Sequence, residues 1–148
     1  MNLSRANIRK RSAFSLIEVV TSTAIAGIVI GGSIYGYVSA AQRAEWAAYS
    51  LAANSLAMQR VEQTRAAKWD PLGFPPVDEL IATNFPAQIN MLDIPISKTN
   101  IVYATNFTTI TTITDNPPLK MIRVACAWKF MNRGPFTNVV VTYRAPDQ

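Results

Sequence analysis

Histidine is absent from the 148 residues, and cysteine occurs once, as Cys126. The first absence removes the commonest general base and the commonest metal ligand. The second excludes an internal disulfide and a thiolate metal cluster. No metal site and no cofactor is expected. Proline is missing from the first 70 residues, all nine lying at or beyond Pro71. A helix interior tolerates proline only at a cost of about 3 kcal/mol. A long proline-free stretch that ends on Asp70-Pro71, Gly73 and Pro75-Pro76 therefore predicts one long helix with a hard stop. Charge is scarce too, and unevenly placed. Four bases (Arg5, Arg9, Lys10, Arg11) lie in the first 13 residues with no acid among them, which leaves 10 bases against 9 acids in the rest. A fold that held nucleic acid by phosphate neutralisation would keep its excess on the folded part. No nucleic-acid partner is expected.

What is there begins with Val19–Ala41, 23 residues without a charge. At 1.5 Å per residue the run spans about 34 Å, enough for a hydrocarbon core of about 30 Å. The basic flank before it places residues 1–13 in the cytoplasm and the bulk of the chain outside, by the positive-inside rule. Beyond Ala41 the uncharged positions Ala44, Ala48, Leu51, Ser55 and Met58 step by four and three, which predicts one face of an amphipathic helix. With no Pro or Gly between Tyr37 and Asp70, a single helix from near Phe14 to Trp69 is expected. Trp46, just past the span, is expected at the lipid headgroups, and Trp69 at the edge of the core.

Residues 70–148 carry the turn signals. Ile101–Thr105 and Phe107–Thr114 are β-branched and partly alternating. Leu119–Phe130 alternates clearly, with Ile122, Val124, Cys126, Trp128 and Phe130 on one side, Lys120 in phase with them, and Arg123 and Lys129 on the other. Thr137–Arg144 is a second strand, with Val139, Val141 and Tyr143 sharing a face. Asn132-Arg133-Gly134-Pro135 reads as a hairpin connection and Asp115-Asn116-Pro117-Pro118 as another turn. Residues 71–98 are punctuated by proline and show no clear element. A β zone of this size is marginal alone, so its apolar face is expected to close over the helix. Cys126 reads as a buried strand residue, and the threonines of Thr99–Thr114 as an exposed strand face or a sticky edge.

A secretory signal also has a basic start before an apolar run, and Ser39-Ala40-Ala41 offers a small-x-small site. The run is too long for a usual signal core, however, and Glu18 sits near its start, where an ionised carboxylate calls for a partner. The setting of that carboxylate is Arg9-Lys10-Arg11-Ser12-Ala13-Phe14-Ser15-Leu16-Ile17-Glu18-Val19-Val20. It resembles the class III leader of the type IV prepilins and of the pseudopilins of type II secretion, with Ala13 where the family usually has Gly and Ser15 where it usually has Thr.

The resemblance implies a pilin-like α+β fold. In it, residues 1–13 are a cleaved cytoplasmic leader, 14–41 the transmembrane and assembly half of the helix, 42–69 its amphipathic outer half, and 70–148 a periplasmic β head. Prepilin peptidase would cut between Ala13 and Phe14 and methylate the new Phe14 amine. Glu18 would pair with the Phe14 amine of a neighbouring subunit. The glycines Gly27, Gly31, Gly32 and Gly36 would mark a helix soft spot or, through the spacings Gly27-x-x-x-Gly31 and Gly32-x-x-x-Gly36, a close-packing surface, and the two are compatible. Its partners would be prepilin peptidase, other pilins or pseudopilins in a mixed filament, the inner-membrane assembly platform and the lipid bilayer. The run Ala52–Ala66, Ala-rich and then bearing Gln, Glu and Arg, is similar to the I-type minor pseudopilins and V-type minor pilins. The function expected is therefore that of a structural, non-enzymatic subunit, minor in type, of a secretion pseudopilus or a pilus. The alternatives are a DNA-uptake pilin, which the near-neutral mature charge disfavours, and a membrane-anchored periplasmic protein of another class.

Overall fold

The structure is a computed structural model that describes residues 15–92 and 101–147. It is α+β: one apolar helix near the N-terminus, then antiparallel sheets. By its contacts the chain divides into two compact units, Met1–Gln42 and Arg43–Gln148.

Helix α1 runs Leu16–Ala66 without interruption, so both units share one element of 51 residues. In the first unit every described residue is exposed except the partly covered Ser39. Leu16, Ile28, Tyr35 and Tyr37 are among the exposed large side chains. This stretch is long and apolar enough to cross a membrane, and none of it is buried within the chain.

In the second unit α1 contributes Tyr49, Ala53, Ala57, Arg60, Val61 and Thr64 to the interior. At 100° per residue these lie on the side of the helix opposite to Ala44, Ala48, Leu51, Ser55 and Met58. The expected packing face is thus the outer one, where Leu51 is 71% exposed. Alanine occurs on both sides of this segment. Apolar spacing alone therefore did not distinguish them, and the face that packs carries the polar Arg60 and Thr64. The helix also ends three residues before the expected Trp69, which instead belongs to a strand.

Two sheets follow. Strands β1 (Trp69–Asp70) and β2 (Val77–Asp78) form a short antiparallel pair, and a 3-10 turn spans Ala82–Asn84. Strands β3 (Gln88–Met91), β4 (Tyr103–Asp115), β5 (Pro118–Phe130) and β6 (Arg133–Arg144) form an antiparallel sheet in that order. Strand β4 joins the two stretches expected separately. Strands β2 and β3 fall in the segment 71–98 where the sequence showed no element, and β1 takes up Trp69, the expected last residue of the helix. Two of the three are only two residues long, too short to display a period.

The turns between the long strands are tight. Asp115 pairs with Pro118 across Asn116-Pro117. Phe130 pairs with Arg133, so the β5–β6 loop is Met131-Asn132, both at positive φ (47° and 58°). That is the two-residue hairpin geometry whose twist matches its strands. Arg133, Gly134 and Pro135, expected in the loop, are already in β6. Gly134 sits at φ 116°, and a Cβ there would stand 2.9 Å from the Phe136 nitrogen, so only glycine fits.

The inner face of β5 is Lys120, Ile122, Val124, Cys126, Trp128 and Phe130, all buried, with Arg123 and Lys129 exposed. Pairing continues this face into Phe136, Asn138, Val140, Thr142 and Arg144 of β6. Val139, Val141 and Tyr143 do share a face, but it is the exposed one.

Candidate functional site

Of the sequence-predicted assembly residues, Ala13 and Phe14 lie outside the described residues. Glu18 stands in the first turn of α1, exposed. The carbonyl of Ser15 accepts the amides of Glu18 (3.0 Å) and Val19 (3.2 Å), which starts the helix ladder. Between Ser15 and Gln42 no other side chain is charged. Among the described residues Glu18 makes no ion pair.

Three hydroxyls along this segment fold back onto the helix. Thr21 donates to the Glu18 carbonyl (3.1 Å), Thr23 to Val19 (2.8 Å) and Ser33 to Val29 (2.8 Å). Such back-bonding satisfies the hydroxyl within its own helix, as a hydrocarbon environment requires. The helix passes regularly through Gly27, Gly31, Gly32 and Gly36, and among the described residues nothing beyond the adjoining residues and the helix's own backbone lies within 4 Å of where a Cβ would stand at any of them. Gly27 and Gly31 form one bare strip, Gly32 and Gly36 a second about 140° around the helix.

The second unit is held by cations and amides that reach backbone carbonyls. Arg144 donates to the carbonyls of Thr64 (2.9 Å) and Ala67 (2.6 Å), which would otherwise be open at the helix end. Asn138 accepts from the Trp128 indole at 2.8 Å and donates to the Ser50 carbonyl at 3.2 Å. Asn106, 2% exposed, donates to the Leu56 carbonyl at 3.4 Å. Lys120 binds the Asp78 carboxylate (2.7 Å) and the Leu80 carbonyl (2.9 Å) and lies 4.8 Å from the Trp69 ring centroid. Arg60 donates to Thr108, Gln63 and the Pro86 carbonyl, its guanidinium over the Phe85 ring at 5.3 Å. Desolvation lowers its pKa from the usual value. Trp46 packs on Trp128 and Phe136, centroids 6.1 and 5.8 Å apart, and is 40% exposed. Trp69 is buried.

Sequence reading missed Arg60, Asn106, Asn138 and Arg144. The signal that could have found the last two is their phase, since both alternate in step with the apolar Phe136 and Val140. Where β4, β5 and the start of β6 meet, a cleft of about 810 Å³ is lined by Tyr49, Tyr103, Trp128 and Phe130, with Glu45 and Lys129 also on its wall. Among the described residues no three His, Cys, Asp or Glu side chains gather where they could hold a metal ion. Cys126 is fully buried, and burial pushes its thiol up to about 11.

Neither a family model, nor a curated protein, nor a solved structure matches the chain.

Proposed function

We propose that the chain is a structural subunit of a type IV pilus or type II secretion pseudopilus, pilin-like in fold and minor in type. The observation that carries the reading is the helix Leu16–Ala66. Up to Gln42 it buries none of its apolar side chains, and from Tyr49 onward it supplies part of a packed core. The unburied segment exposes apolar surface that one copy of the chain leaves unused, and a bilayer or the same segment of other subunits would cover it.

The mechanism proposed on this basis is assembly without chemistry of its own. Prepilin peptidase cuts after Ala13 on the cytoplasmic side of the inner membrane and methylates the amine of Phe14. The helix stays in the membrane. Glu18, one turn along, then receives the amine of a neighbouring subunit, an exchange that relieves two desolvated charges together. The bare glycine strips let helices approach closely as they bundle, and the sheets form the outside of the filament. The Ala-rich run followed by Gln59, Arg60, Glu62 and Arg65 supports a minor member.

The test is intact mass and N-terminal sequence of the membrane-extracted protein, made with and without prepilin peptidase. A start at Phe14 carrying one added methyl is expected only with the enzyme. A start after Ala41, or an uncut chain with the enzyme present, overturns the reading.

A further inference from the structure

Strand β6 runs alongside α1 in the same direction, and three contacts fix how they align. Arg144 reaches the carbonyls of Thr64 and Ala67, Asn138 reaches that of Ser50, and the Phe136 ring packs 5.8 Å from Trp46. The β5–β6 hairpin therefore stands at the end of the second unit where the chain arrives from the uncharged run Val19–Ala41. From Phe136 back to Arg133 is three residues of strand, about 10 Å. From Trp46 back to Ala41 is five residues of helix, about 7.5 Å. The hairpin thus has the length to reach the depth at which the run ends, and a headgroup layer is about 5–7 Å thick on each side of a bilayer.

The side chains at this end fit that layer. Lys129, Arg133 and, on α1, Arg43 are exposed, and among the described residues none of them makes an ion pair. Glu45, the one acid among the described residues here, is half-buried in the cleft with Tyr49. Met131 stands at the hairpin tip, 49% exposed, and Trp46 is 40% exposed. At the opposite end of the sheet the cations are used internally, Lys120 by Asp78 and Arg144 by Asp147. Free cations around a tryptophan and an exposed apolar side chain, next to a span, are the combination that anionic lipid attracts. The charges meet phosphates, and the ring and thioether lie at the acyl boundary.

We propose that the β5–β6 hairpin docks on anionic phospholipid headgroups, with Arg43, Lys129 and Arg133 against the phosphates and Met131 entering the layer. The docking rests on the reading of Val19–Ala41 as a membrane span.

The test places a fluorescent probe on the full chain in vesicles. Met131→Cys carries a bimane label, and Asp115→Cys, at the opposite hairpin, carries it as the control. Cys126 is buried and stays unlabelled. The quencher is a lipid with a nitroxide on its headgroup. In vesicles of phosphatidylglycerol and phosphatidylcholine the probe at position 131 is expected to be quenched and the probe at 115 not. That quenching is expected to be lost in phosphatidylcholine alone, and at about 1 M salt, where the screening length falls to about 3 Å. It should also be lost in Lys129→Gln with Arg133→Gln. The lipid and salt comparisons use one labelled chain, so a misfolded variant cannot imitate them. A chain that floats with the vesicles but is quenched no more at 131 than at 115 overturns the docking and leaves the span standing. Quenching that persists in phosphatidylcholine and at high salt overturns the assignment to anionic headgroups. A chain that does not float with the vesicles overturns the span, and the docking with it.

Discussion

Asp147 and Trp69 hold each other by two hydrogen bonds. The Trp69 amide donates to the Asp147 carboxylate at 2.8 Å, and the Asp147 amide donates to the Trp69 carbonyl at 2.8 Å. Arg144 completes the set, donating to the other carboxylate oxygen at 2.6 Å while it caps the end of α1. The last residues of the chain are thus tied to the point where the helix gives way to β1.

The Trp69 amide, and after it the Arg144 guanidinium, hold the Asp147 carboxyl below its ordinary range. A carboxylate with a depressed folded-state pKa adds stability that is fully present above its unfolded value, about 3.9, and is lost as the pH falls through the folded one. Asp147→Asn is therefore expected to lower the melting temperature at neutral pH. The gap between the two proteins should close as the pH drops below about 4. Melting curves of both proteins across that window check this, and a gap that is constant with pH would refute it.

Arg60 is 5% exposed, and its acceptors are a hydroxyl, an amide and a carbonyl, none of them charged. Its desolvation cost offsets much of what those bonds contribute. Pro86 is exposed, so its carbonyl can return to water. Filling the space should then matter more than keeping the charge. Arg60→Ala is expected to cost about 2–3 kcal/mol through the void it leaves. Arg60→Met should stay within about 1 kcal/mol. Denaturant unfolding of the two variants decides this, and equal losses would place the stabilisation in the hydrogen bonds.

The long helix, the phase of β5 and both hairpin positions were legible because glycine, proline and strict alternation mark them locally. The packing face of α1 and the inward face of β6 were not, and for one shared reason. The sheet reaches the helix partly through Asn138, Asn106 and Arg144, which seek the carbonyls of Ser50, Leu56, Thr64 and Ala67. Hydropathy assigns such residues to solvent, and it assigns Val139 and Val141 to the core. Burial followed the hydrogen bonds instead. Of the candidate assembly site, Glu18 is placed in the first turn and the four glycines on the apolar helix, whereas Ala13 and Phe14 are known from the sequence alone.

Cys126 has no exposed surface, and its thiol is raised to about 11 by burial. The thiolate is the reactive form, so neither access nor ionisation favours reaction in the folded protein. At pH 8 a thiol reagent is expected to label the native chain hardly at all and the denatured chain once. Cys126→Ala should cost about 1 kcal/mol and Cys126→Ser more, because the hydroxyl would be buried among Ile122, Val124 and Trp128. Fast labelling of the native protein would show that β5 opens readily.

Glu18 offers the sharpest separation between processing and assembly. It lies beyond the expected cut and makes no ion pair among the described residues, so its removal should leave the folded unit from Arg43 onward intact. Glu18→Ala is expected to be cleaved and methylated as the unsubstituted chain is, and to melt at the same temperature. Its recovery in sheared filaments should fall by tenfold or more, the loss that about 1.4 kcal/mol at a buried ion pair would give. Glu18→Gln, which keeps shape and hydrogen bonding but not charge, should fall with it. If Gln restores incorporation, the carboxylate charge is not what the neighbouring amine reads. If Ala is incorporated normally, Glu18 has no part in assembly, and its place in the first turn reflects only the favourable position of an acid at a helix N-terminus.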